Sequence, residues 1–433
     1  MMKADSPTFD STSPVTLRFG VFFDGTGNNQ HNALVPSPKG GKGASYESAL
    51  TNVALLHALY PVHPLRGKPL QVCFKVYVAG IGTQAGEADD AYSSATGRGR
   101  SGVQARVEDT VADIARALAQ WRQQHPHANV QCVAFDLFGF SRGAAAARHL
   151  ANLLHDRGAI PLNCAVNVNF VGLFDTVAAI IAPLRGGFDP ADERLGGLRL
   201  GLSAGIARQV VQLVAADEQR HNFPLVLSGH DIRLPGVHSN IGGGYPDTTH
   251  EQVLLCKPES QHVPLGTRVE NTGAYARVAA LQSGLAGKLG DPAPELVTWE
   301  HPVPGGARGE EQKQVYVALS RARDVAGHLS RVYLSIMHAL ALRAGVPLAP
   351  LGNDPHHQVP EDLHAISRKL HAYALGEQKQ LGLDAAEARL LQARYVHTSA
   401  HWNALKGLRS SALDALFINR PAAAGRVILA NPV

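Results

Sequence analysis

Cysteine is scarce in this chain of 433 residues: only Cys73, Cys132, Cys164 and Cys256 occur, widely spaced and with no Cys-x-x-Cys pair. That spacing excludes a disulfide or zinc framework as the organiser of the fold, and three of the four sit in apolar runs, where a free thiol packs as a small hydrophobe. Charge is also sparse, at 18% Asp, Glu, Lys and Arg against 45% apolar residues, a globular rather than disordered or coiled-coil composition. The net charge of +4 is not gathered into a basic block, so no nucleic-acid partner is expected. Its 21 histidines would make the surface markedly more cationic below about pH 6.5. The opening MMKADSPTFDSTSP carries no apolar signal core, so Sec-type export is not expected and the chain is read as made in the cytoplasm. Long apolar runs are missing as well, with one exception at 163–184, where Asp175 is the sole charge. A mid-run carboxylate costs about 2.5–3.5 kcal/mol in a membrane, and three Asn accompany it, so the run is read as a buried strand ending in a functional turn.

Short Val/Phe/Leu-rich runs are present instead, at 15–23, 72–80, 130–140, 166–174 and 224–234, each ending in small or polar residues. Segments with helical spacing lie between them at 47–60, 107–124, 144–156 and 204–217. Near-continuous apolar strands alternating with helices predict an α/β fold, with a mostly parallel sheet covered by helices on both faces. Ligands in such sheets bind beyond the carboxyl ends of the strands, where the five polar turns would converge. The chain is divided into a frayed leader at 1–15, an α/β core at 16–250 and a mainly helical region at 251–433 that packs on the core. Within the last region, a Pro/Gly-rich loop at 301–309 precedes expected helices at 315–343, 360–375 and 384–396.

Gly139-Phe140-Ser141-Arg142-Gly143 stands between an expected strand and an Ala-rich helix. The same string could be a turn with a capping Ser, but this setting is that of a nucleophile elbow. Side chains two residues either side of the Ser would collide with neighbouring backbone there, so Gly139 and Gly143 are demanded. A Ser hydroxyl needs a base to take its proton and a carboxylate to orient that base. Asp175, at a later strand end, is the candidate acid; Asp136, inside the elbow strand, reads as structural. His238 in the Gly-rich PGVHSNIGGGY loop is the candidate base, with His397 in RYVHTSAHW as the alternative. The oxyanion donors are expected from the N–H of Arg142 and from the turn at Gly25 and Thr26. Phosphate-cradling strings are not completed, and neither the His356–His357 pair nor the His397…His401 pair has a third ligand at useful spacing, so neither cofactor nor metal is expected. The basic loop GRGRSGVQAR at 97–106 is read as solvated rather than as an anion site.

Five stretches, FFDGTGNN, YVAGIGT, LFGFSRGAAAAR, LFDTV and LPGVHSNIGGGY, together resemble the type VI secretion lipase effectors of the Tle group and the α/β-hydrolases that share their catalytic domain. The matching segments span about residues 15–250, and the late RYVHTSAHW and NRPAAAGR pieces are similar too. The resemblance implies a phospholipase A-type serine esterase that releases fatty acid from glycerophospholipid. It also implies delivery by a type VI system into the periplasm of a target cell, on a secretion-spike carrier, with a cognate immunity protein and a membrane surface as substrate. The family's nucleophile, acid and base fall on Ser141, Asp175 and His238. One departure is Asn240, where the family loop usually carries Asp, which removes a carboxylate from beside the base. A hydrolase acting on a soluble ester and a silent hydrolase-fold adaptor are the competing readings.

Overall fold

The computed structural model describes residues 13–35, 44–65, 70–85, 87, 102–156, 164–178, 197–285, 292–303, 311–404 and 417–432. Most of the leader, the basic stretch at 97–101 and the Pro/Gly stretch at 304–309 lie outside them. In chain order the first elements are β1 (Pro14–Phe23), α1 (Ala44–Glu47), α2 (Asn52–Leu59), β2 (Pro64–Leu65), β3 (Leu70–Val78) and α3 (Val103–Gln124). There follow β4 (Asn129–Phe140), α4 (Arg142–His155), β5 (Ala165–Phe174), β6 (Gln209–Ala215), β7 (Leu225–Val226), β8 (Asp231–Leu234) and α5 (His238–Gly242). Seven strands form one sheet in the order β2-β3-β1-β4-β5-β6-β8, all parallel except the edge strand β2.

Alternation along these strands divides the core in two. Leu17, Phe19, Val21 and Phe23 of β1 share one face with Val133, Phe135 and Leu137 of β4, beneath α3 and α4. Phe22, Phe138, Phe140, Phe170 and Phe174 point the other way, towards α2 and a later helix, α7 (Leu329–Arg343). Ala144–Ala147 are almost wholly buried, and their small side chains let α4 lie close against the strands. Each fully buried Leu, Ile or Met on α7 contributes about 1.5–3 kcal/mol of transfer free energy, so α7 holds its face of the sheet by packing.

One charged pair crosses this core. Arg18 donates to both oxygens of Asp136 at 2.6 and 2.9 Å, Tyr60 donates its hydroxyl at 2.8 Å and Asn169 its amide at 2.7 Å. A Cβ at Gly20 would lie 2.8 Å from the Tyr60 ring, so this glycine makes room for the ring that reaches Asp136. Asp136 is thus structural, as expected, tying β1, α2, β4 and β5 in one register.

Beyond residue 247 come β9 (Thr248–Leu254), β10 (Glu259–Pro264), α6 (Gly273–Leu285), β11 (Glu295–Val303), β12 (Gln312–Ala326), α7, α8 (His364–Ala374), α9 (Ala385–Leu390) and β13 (Ile428–Leu429). Here two expectations are corrected. The region after 250 is not mainly helical: β9 to β12 form a four-stranded antiparallel sheet, and the run expected as helix from 315 is strand to Ala326. Val315, Val317 and Leu319 alternate with Tyr316 and Ala318, a period of two that buries both faces. Likewise the stretch 204–217 carries β6, not a helix. Its Gln212 is buried and donates to Asp231 Oδ1 at 2.6 Å, a polar contact between strands. The run at 224–234 divides into β7, which pairs with β13, and β8, which closes the main sheet. No described helix is long and apolar enough to cross a membrane.

Candidate active site

β4 ends at Phe140 and α4 begins at Arg142, so the chain must reverse at Ser141. Its φ is 59° and its ψ −126°, and among the described residues only Ser141 and Asp175 combine a side chain with positive φ. Such a conformation costs about 1–3 kcal/mol, and the surrounding bonds impose it. The Ser141 N–H donates to Phe174 O at 3.0 Å, and its carbonyl accepts from Ala144, Ala145 and Val177. Both flanking glycines are required: a Cβ at Gly139 would lie 2.4 Å from Gly143 O, and one at Gly143 would lie 2.3 Å from Phe23 O.

Asp175 follows β5 directly, at φ 48°, with its N–H donating to Leu213 O at 2.8 Å. Its carboxylate is completely buried, and Oδ2 lies 2.5 Å from His238 Nδ1. Burial pushes this carboxyl up, but the Arg426 guanidinium and the His238 contact outweigh burial and hold it well below the usual carboxylate range. An ionised carboxylate only accepts, so Nδ1 of His238 carries the proton and Nε2 is left as the acceptor. The His238 ring lies 4.6 Å from the ring of Phe140, the residue before Ser141, and edge-on to Phe223 at 4.8 Å. Burial lowers the His238 pKa against the opposing pull of Asp175, so the imidazole stands neutral, as a base must. The backbone N–H of His238 donates to Glu218 Oε2 at 3.2 Å, and Glu218 is paired with Arg220.

The turn after β1 also reaches this point, where Gly25 packs against the Phe140 ring that the elbow presents. One expectation fails in it. The Gly25 N–H donates to Asp24 Oδ1 at 2.7 Å and is occupied. Asp24 is buried, accepts from Thr51 at 2.7 Å and Tyr77 at 2.6 Å as well, and burial pushes its carboxyl up to about 6. Thr26 instead faces the elbow, its Oγ1 accepting from Arg142 Nε at 2.7 Å.

His397 does not join Asp175. It stacks on Tyr245 with 3.6 Å between ring centroids, and its Nδ1 accepts from Asn240 Nδ2 at 3.1 Å. Burial pushes its pKa down to about 3. Asn240 also donates to Tyr395 O and accepts from Val237 N–H, so it caps α5 and ties the 395–397 segment rather than facing the His238 ring. His356 pairs with Asp354, and His401 bonds to Asn403. Two residues near Asp175 and His238 were not singled out from sequence. Glu218 carried no signal of its own, whereas Arg426 lies in the NRPAAAGR piece; it donates to Asp175 Oδ1 and Oδ2, each at 2.8 Å.

The family described as T6SS, phospholipase effector Tle1-like, catalytic domain, matches residues 18–165 and 161–266, more than half of the chain. The chain belongs to this Tle1-like family. The part of the Tle1-like chain that matches holds Ser141, Asp175 and His238, but not Arg426. A solved structure of the Tle1 effector bound to the VgrG spike from the type 6 secretion system is similar throughout, with a TM-score of 0.75 and 26% identity over 98% of this chain and 95% of that one. An uncharacterized protein from Pseudomonas aeruginosa matches at a TM-score of 0.41 and 20% identity, over 84% of this chain and 51% of that one, which bears no argument. No curated protein matches the Tle1-like chain in sequence.

Proposed function

We propose that this Tle1-like phospholipase effector is a serine esterase of A type, with Ser141 as nucleophile, His238 as base and Asp175 as the acid that orients it. The observation that carries the reading is the bond from His238 to Asp175 beside an elbow where Ser141 alone of its segment takes positive φ. Ser141 Oγ attacks the ester carbonyl of a glycerophospholipid as His238 Nε2 takes its proton. The N–H groups of Arg142, at the first turn of α4, and Thr26 receive the oxyanion. The imidazolium then protonates the leaving glycerol oxygen, and water repeats the sequence to free the fatty acid. Residues beyond 251 support the base loop: Tyr395 and His397 hold Asn240, and Tyr333 donates to Pro235 O.

The similarity along nearly the full chain to a spike-bound effector supports carriage on a secretion spike into a target-cell periplasm, where an immunity protein would protect kin. The test is mass spectrometry of mixed phospholipid vesicles incubated with wild type and Ser141→Ala. Free fatty acid and lysophospholipid are expected from wild type, with release at least a thousandfold lower from the variant at an unchanged melting temperature. Equal release would exclude Ser141 as nucleophile.

A further inference from the structure

The acid of the proposed triad is held by more than its histidine. Four donors surround the Asp175 carboxylate: Ala215 N–H at 3.0 Å and Arg426 Nη1 on Oδ1, His238 Nδ1 and Arg426 Nη2 on Oδ2. Two acceptor sites on each oxygen are filled, so the carboxylate cannot turn without breaking a bond. The Arg426 side chain is 6% exposed and that of Asp175 is wholly buried, so the pair is little screened by water. Arg426 is fixed in turn by its Nε, which donates to Phe223 O at 2.8 Å, and Phe223 is the residue whose ring edge meets His238. The remaining charges facing this group are Glu218 and Arg220, which neutralise each other at 2.9 Å. Arg220 also lies over the Phe223 ring at 3.4 Å.

This geometry has a chemical consequence. A bare carboxylate against an imidazole favours the imidazolium and raises its pKa by about 1–3 units. A guanidinium fork across both oxygens spends most of that negative charge before the imidazole feels it. We propose, resting on the serine-hydrolase reading above, that Arg426 is a positioning residue of the triad: it fixes the plane of the Asp175 carboxylate and keeps His238 neutral to lower pH than an Asp–His pair alone would. A base kept neutral into the acid range extends activity to mildly acidic surroundings.

The test uses the full chain and the rate of labelling by a fluorophosphonate probe between pH 5 and 9, for wild type, Arg426→Lys, Arg426→Met and Ser141→Ala. In Arg426→Met the acid limb is expected to move up by about one pH unit, so that the loss is largest at low pH and narrows above it. Arg426→Lys keeps the cation but not the fork; its limb is expected to stay near that of wild type with the rate about tenfold lower. An Arg426→Met limb that coincides with wild type, with any loss uniform across pH, overturns the proposal. Should that variant fail to fold, Arg426→Lys decides alone, and a wild-type rate, a displaced limb or no labelling at all is then the overturning result. Labelling of Ser141→Ala at the wild-type rate would instead remove the serine nucleophile itself, whatever Arg426 does.

Discussion

The imidazole of His238 lies between the Phe140 and Phe223 rings with its Nδ1 committed to Asp175, so it has little rotational freedom. His397 is as deeply buried but serves a different end. Its ring is stacked on Tyr245, and its bond from Asn240 joins the segment that follows α9 to the cap of α5. The two histidines that motif reading could not fully separate are therefore distinguished by their partners: one meets a carboxylate, the other an amide. Replacing His238 by Gln is expected to lower fatty-acid release by about three to four orders of magnitude, since the proton acceptor is lost. Replacing His397 by Gln is expected to cost less than tenfold in release while lowering the melting temperature by several degrees, because a buried stack and hydrogen bond go. Release assays and thermal melts on the two variants check this, and the opposite ranking would transfer the base to His397.

At the scale of elements, the elbow is a collision avoided. β1, β4 and α4 meet so closely that a methyl group at Gly143 would sit 2.3 Å from one carbonyl oxygen and 2.4 Å from the next. Neither carbonyl can retreat easily, since Phe23 closes the central strand β1 and Asp24, which follows it, is held by its N–H to Val78 O at 2.9 Å. Gly143→Ala should therefore cost about 1–3 kcal/mol by overpacking and, by tilting α4 from under Ser141, most of the activity. Gly266→Ala, where nothing lies within 4 Å, should leave both the urea midpoint and activity unchanged. Equal tolerance at the two glycines would contradict the steric account. These strand ends were legible in the sequence because parallel strands buried on both faces are written as continuous apolar runs that stop at small residues. The strands β6 and β12 were not legible in the same way: short apolar runs rich in Val, Leu and Ala satisfy helical and strand periods alike, and only partners far along the chain decide between them. Gly25 failed for a related reason. Position in a turn announces a donor, but the Asp24 carboxylate that occupies it is visible only once Thr51 and Tyr77 have folded it inward.

Taken as a whole, the molecule closes its site with residues from opposite ends of the chain, and no local pattern could have announced that Arg426 and Asp175 meet. The segment 417–432 runs back over the core. Its Ile428 and Leu429 pair with β7, Ala422 N–H donates to Gln219 O, and His221 N–H donates to Arg420 O. Asn431 accepts from the Arg148 guanidinium at 2.9 Å, in the middle of α4, the helix that begins at the elbow. Arg148 also reaches Leu200 O, Val226 O and Leu227 O, so the tail and the α4 helix are fastened to one buried cation. The tail thus supports the Ser141 side through Arg148 and the Asp175 side through Arg426. Deleting residues 417–433 removes both supports and strands the Arg148 and Asp175 charges, each buried and short of partners, at a cost of several kcal/mol. Among the described residues, β1, β3 and β4 make no hydrogen bond to this tail. The expected outcome is a folded but inactive protein. Its far-ultraviolet circular dichroism is largely kept, and its fatty-acid release falls below that of Arg426→Lys. The amides of Leu225 and Leu227, which donate to Val427 and Leu429 carbonyls, should lose protection in hydrogen exchange while those of β1 retain theirs. Wild-type release from the deleted chain would mean that the triad holds its geometry without the tail.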